Sequence, residues 1–293
     1  MMLNATPIVI AVLVAELIPA VAFGFAAERI TSAIERWPRF VRIALPALLV
    51  TPYAIISLSH HALRWEWVAV YATLPVVIAW LLGQAAITDP GQRGNWRDAL
   101  ILLTLGLAVD LRWLDGAWPA GLRGLGNLLL LDAGIYGFLG VRRLSGTGFD
   151  FHFHWRDWKT GLRELVFFAP VVIALGLALG FIHPHKNLPS PGRALLSWVG
   201  IFVFVAVLEE LFFRAWVQNL LERRVGRRAA LVIASVLFGL SHFNKRSAHF
   251  NWRYVLLATI AGIFYGRAWR EQRRVAASAI THTFVDWLWY LWF

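Results

Sequence analysis

No cysteine occurs among the 293 residues. Disulfide frameworks, thiol catalysis and thiolate metal sites are therefore excluded. Charge is scarce as well: Asp, Glu, Lys and Arg make up 15% of the chain, with 17 acidic against 28 basic residues. So little charge argues against a soluble domain and against a solvated, disordered chain. Low-complexity tracts and clear internal repeats are missing. No basic n-region opens the chain either. The first basic residue is Arg29, beyond the apolar stretch Ile8–Phe25, which reads as a retained membrane helix rather than a cleaved signal.

What fills the space is apolar. Hydrophobic residues reach 59% and mean hydropathy is +0.60. Ten apolar segments recur: Ile8–Phe25, Ile43–Leu58, Val68–Ile87, Ala99–Leu111, Leu125–Val141, Leu165–Ile182, Ala194–Val217, Ala229–Ser241, Val255–Trp269 and Ala276–Trp292. Only helices and closed barrels satisfy their own backbone groups in lipid, and these runs are helical in length. The expected fold is all-α, a polytopic transmembrane bundle of about eight to ten helices. The fourth and eighth segments are short for a full crossing, and tilt, extension or re-entry accommodates them. Many of the sixteen tryptophans, such as Trp37, Trp65, Trp96, Trp113 and Trp155, lie at segment ends, as interfacial belts require.

The net charge of +11 does not point to nucleic acid, because the basic residues sit in short connectors. Odd-numbered connectors carry more than twice the Lys and Arg of even-numbered ones. The positive-inside rule then places both termini on the non-cytoplasmic face. The expected location is integral and multi-pass, in a bacterial cytoplasmic membrane, with the lipid bilayer as a partner. The polar connector around Ser145-Gly146-Thr147-Gly148 and the Pro-rich break at 183–192 suggest three regions. These are an accessory bundle at 1–145, a connector with one helix at 146–194, and a last region at 195–293.

That last region holds most of the unusual polar chemistry. Glu209, Glu210 and Arg214 interrupt the apolar run Ala194–Val217. A charge at bilayer depth costs about 2.5–3.5 kcal/mol on insertion scales, so intramembrane ions are candidates for function. Glu210 and Arg214, four apart, share a helix face; Glu209 is rotated by about 100° and is not neutralised by that pair. The next segment leads to Phe238 and His242. The final one carries His282 and Asp286, again four apart, where a carboxylate can orient an imidazole. Structural alternatives stand beside each: a helix-packing ion network, an interfacial histidine, a buried polar pair. Together, Glu, Glu, Arg, His, His and Asp on three neighbouring spans suffice to activate water and stabilise an oxyanion. Counting from segment ends places His242 deeper than Glu209 and His282.

Glu209-Glu210-x-x-x-Arg214, Phe238-x-x-x-His242 and His282-x-x-x-Asp286 resemble the three ordered motifs of the CAAX-protease and bacteriocin-processing family. The resemblance covers about Leu195–Trp292. It implies an intramembrane endopeptidase, related to type II prenyl-protein proteases, acting on a peptide or membrane-protein substrate. It further implies that Glu209 and His242 activate water, that Glu210 and Arg214 organise the site or contact substrate, and that His282 stabilises the oxyanion. Asp286 stands where the family commonly has asparagine, and an ionised aspartate cannot donate a hydrogen bond. The reading adopted is metal-independent glutamate catalysis without a cofactor; the alternative is a zinc ion held by Glu209, His242 and His282.

Two other classes fit parts of the pattern. An ion-coupled transporter would use Glu209, Glu210 and Arg214 as a relay, although no matching pair of broken helices appears in the other half. A non-catalytic bacteriocin-immunity scaffold would reuse the same fold. Glu16, Asp110 and Asp132 read as helix-packing or interface acids. His60 and His61, and the pairs His152/His154 and His183/His185, read as connector or interfacial residues rather than metal ligands. Oligomeric state leaves no trace in the sequence.

Overall fold

The structure is a computed structural model that describes residues 6–247 and 249–293. Among the described residues it is helical with no strand, and each of the ten apolar segments lies wholly or mostly on a helix. Contacts divide the chain into two compact units, Met1–Ser145 and Gly146–Phe293.

The first unit contains α1 (Pro7–Glu35), α2 (Arg39–Ser59), α3 (Trp65–Thr88), α4 (Trp96–Asp110) and α5 (Gly124–Val141). Thr6 caps α1 by accepting from Val9 N, with Pro7 at the first helical position, where its missing N–H costs nothing. Inside α2, Pro46 accompanies a 3₁₀ stretch over Leu45–Leu49. A capping box starts α4: Asn95 Oδ1 accepts from Arg97 N and Asp98 N, while Asp98 Oδ2 accepts from Asn95 N. The same Asp98, with Asp89, holds the buried Arg142 guanidinium at 3.0 and 2.7 Å. Tyr53, Tyr71 and Trp118 pack as an aromatic cluster, with Trp118 Nε1 donating to Tyr71 Oη at 2.7 Å. Glu16 and Asp132 are each only 2% exposed.

The second unit contains α6 (Trp155–Ala178), α7 (Pro191–Val225), α8 (Arg227–Leu240), α9 (Trp252–Gln272) and α10 (Val275–Trp292). Gly226, at φ +81°, joins α7 to α8 through a single residue, in a conformation that favours glycine. α9 packs on α8, and both α9 and α10 pack on α6. The break between α6 and α7 is tied to the end of α10: His185 N donates to Trp292 O, and Trp287 Nε1 donates to Ala194 O. The left-handed Arg273 terminates α9.

Arg274 then clamps the start of α10. It donates to Asp157 at 2.9 Å, to Asp150 at 2.8 Å and to the His152 carbonyl. Burial raises the Asp150 carboxyl, but hydrogen bonds from Arg274 and His152 and the Arg274 charge outweigh it and hold the group at about 2. A carboxyl held below its ordinary value of about 3.9 adds stability above that value and loses it as pH falls through about 2. Melting followed by circular dichroism in detergent should therefore show a drop between about pH 4 and pH 2. Asp150→Asn should flatten that drop; an unchanged pH profile would contradict the clamp.

Among the described residues, six helices are long and apolar enough to cross a membrane: α1, α2, α3, α5, α6 and α7. The chain is a multi-pass integral membrane protein. At 15 and 14 residues, α4 and α8 are short, whereas α9 and α10 have the length, at 21 and 18 residues, but not the hydropathy. In α10 the polar residues that lower it include His282 and Asp286.

Candidate active site

Glu209 and Glu210 lie in a short α-helical turn, Val207–Glu210, between two π-helical stretches of α7, Phe202–Ala206 and Leu211–Gln218. Such π segments re-aim side chains and recur at functional sites. Here they bring two consecutive carboxylates and Arg214 to one region. Glu210 and Arg214 are fully buried, and Arg214 Nε donates to Glu210 Oε2 at 2.8 Å. The guanidinium carbon sits 5.2 Å from the Phe238 ring centroid and 6.0 Å from that of Tyr265, within cation–π reach. Aromatic faces thus replace water around a buried charge.

The other oxygen of Glu210 fixes the neighbouring helix. His282 Nδ1 lies 3.0 Å from Glu210 Oε1. A carboxylate already paired with a guanidinium accepts, so Nδ1 donates. Nε2 then faces two more carboxylates, Asp286 Oδ2 at 3.6 Å and Glu209 Oε2 at 3.9 Å. The imidazole is stacked on Tyr265 at 4.6 Å and 15°, and Phe238 meets it edge-on at 5.7 Å. His282 is therefore held on four sides.

His242 follows the end of α8. Its Nδ1 lies 2.8 Å from the Phe238 carbonyl, one helical turn back. A carbonyl only accepts, so that nitrogen donates, and Nε2 is left as the basic lone pair. Close approach of α8 to α9 brings His242 there: a Cβ on Gly239 would meet Thr259 Oγ1 at 1.9 Å and Val255 O at 2.5 Å. His242, His282 and Asp286 line one cavity, with Tyr254 and Tyr265. Apolar side chains of α6, including Leu165, Phe168 and Val172, form its far wall. In the folded unit His242 shares that cavity with His282.

All six singled-out residues thus fall in one region of the second unit. Five are joined by direct contacts, and His242 reaches them through the shared cavity and through Phe238, whose ring also packs on it at 4.9 Å. Among the described residues, no three His, Asp or Glu side chains are grouped to hold a metal ion. The connector histidines do not group either; His152, for one, bonds Asp150 at 2.7 Å. Tyr254 and Tyr265 were not singled out from the sequence. Their signal was available, since eleven residues is close to three helical turns and puts both on one face of α9.

A family model, type II CAAX prenyl endopeptidase Rce1-like, matches residues 191–288. This part of the chain is thus similar to the Rce1-like family. The match begins with α7 and ends within α10, so it contains every residue of the six. It covers about a third of the chain and leaves the first unit outside. No curated protein and no solved structure matches. That likeness supports a CAAX-type endopeptidase function in general terms. Its particular residues are read from the geometry.

Proposed function

We propose that the protein is an intramembrane endopeptidase that hydrolyses peptide bonds of membrane-associated substrates, such as CAAX-like tails or leader peptides, without a metal ion. The observation that carries this reading is the convergence of Glu209, Glu210, Arg214, His282 and Asp286 with His242 beside a cavity with an apolar wall.

In this reading Glu209 and His242 Nε2 take a proton from water as it attacks the scissile carbonyl. Glu209 suits this role because its side chain remains 34% exposed while Glu210, Arg214 and His282 are sealed. Glu210 and Arg214 are positioning residues that hold the His282 ring. His282 Nε2 points at the reacting region and stabilises charge there. Asp286 orients that ring and does not itself donate. The protease works in the plane of a bacterial cytoplasmic membrane, where the cavity wall excludes water from an apolar substrate segment.

The experiment is a proteomic comparison of membrane-protein termini in cells with the wild-type protein and with Glu209→Ala. New termini present only with the wild type are expected. Identical termini in both would overturn the reading. Solute uptake into vesicles that depended on Glu209 would favour a transporter instead, and phenotypic rescue by Glu209→Ala would favour a scaffold.

A further inference from the structure

Three carboxylates crowd the reacting region, and Glu209 and Asp286 both face His282 Nε2. An oxyanion formed between them is repelled unless neutral donors lie close. Asp286 when ionised supplies none. The cavity has two hydroxyl donors, Tyr254 and Tyr265, both on α9.

Their settings differ. Tyr265 is 1% exposed and lies flat against His282, so it acts as the platform that positions that ring. Tyr254 is half-buried, and its ring is fixed by three aromatic neighbours. His242 lies at 4.7 Å, Phe181 at 5.2 Å and Trp289 at 5.5 Å. Its backbone is pinned by the Asn251 cap, which accepts from Tyr254 N at 3.2 Å. The charges around it come from three elements: Asp286 on α10, Glu209 on α7 and Arg246 in the connector before α9. Its hydroxyl has no protein hydrogen-bond partner among the described residues. A phenol with a fixed ring normally finds a partner, and one that lines a cavity leaves its donor for what enters.

We propose that the Tyr254 hydroxyl is a catalytic donor of this site, hydrogen-bonded to the scissile carbonyl oxygen as it becomes negative. The proposal rests on the hydrolytic reading above. Water gives a proton to the Glu209–His242 base and forms the new C–O bond, while the carbonyl π pair moves to oxygen. Tyr254 donates a hydrogen bond to that oxygen and keeps its proton. The electron pair then returns, the C–N bond breaks, and the amine leaves with the proton held by the base.

The test uses the full chain in proteoliposomes and an internally quenched peptide carrying a farnesylated cysteine followed by three residues. Tyr254→Phe removes the hydroxyl and keeps the ring. Its kcat should fall about 10²-fold or more, the usual effect of losing one oxyanion donor, with KM within about threefold. In an Asp286→Asn background the carboxamide supplies an N–H, and the same change should cost less than about tenfold. Equal losses in both backgrounds, or no loss in either, would overturn the proposal. A fall in melting temperature alongside equal losses would assign Tyr254 a structural role. Glu209→Gln separates the two levels. If it retains activity, the hydrolytic reading fails; if it is inactive while Tyr254→Phe turns over normally, only the Tyr254 assignment fails.

Discussion

Glu209→Gln should leave the protein folded and lower peptide hydrolysis by about 10²- to 10⁴-fold, the range for loss of a general base. The change is nearly isosteric and removes only the charge and basicity. Its structural cost is small because Glu209 makes no short hydrogen bond. It lies 3.9 Å from His282 Nε2, and its side chain is 34% exposed. The melting temperature should therefore stay within a few degrees while product release stops. Quantifying peptide fragments by mass spectrometry beside a thermal melt reads both. Wild-type turnover would remove Glu209 from the reaction, and a large loss of stability would make it a structural acid.

Arg214→Met should do the reverse and strike stability first. Both partners of the Arg214–Glu210 pair are fully buried. Breaking such a pair from one side costs about 3–5 kcal/mol, because the remaining charge has neither water nor a counter-ion. Glu210 would keep only His282, and the His282 ring would lose a firmly placed anchor. A lower melting temperature and lost activity are both expected. Lysine should not rescue, since a compact ammonium cannot combine the Nε–H bond to Glu210 with flat contact on Phe238 and Tyr265. Glu210→Gln combined with Arg214→Met should recover part of the stability, as no lone buried charge remains. If Arg214→Met melts like the wild type, the pair is not the lock described.

Much of this arrangement was legible in the sequence because the bilayer makes its demands locally. Long apolar runs must be helices, so all ten segments could be placed and the all-α class followed. Fourfold spacing placed Glu210 with Arg214 and His282 with Asp286, and these pairs meet at 2.8 and 3.6 Å. Length was less legible: α4 and α8 are short, at 15 and 14 residues, while polar residues lower the hydropathy of α9 and α10. Contacts between helices were hidden as well. The His282–Glu210 bond joins residues 72 apart, and no local pattern encodes it. The π stretches around Glu209 depend on packing rather than propensity. Tyr254 and Tyr265 were overlooked because aromatic residues are common in membrane helices and only the fold shows which of them face a cavity.

The central claim is that Glu209 and His242 activate one and the same water. A double-mutant cycle on kcat tests it most directly, using Glu209→Gln, His242→Ala and the two combined, with folding checked by thermal melts. Residues that act as one unit are non-additive, so the double variant should be about as slow as the slower single variant. Penalties that multiply in the double variant, or a single variant that turns over at the wild-type rate, would contradict the account.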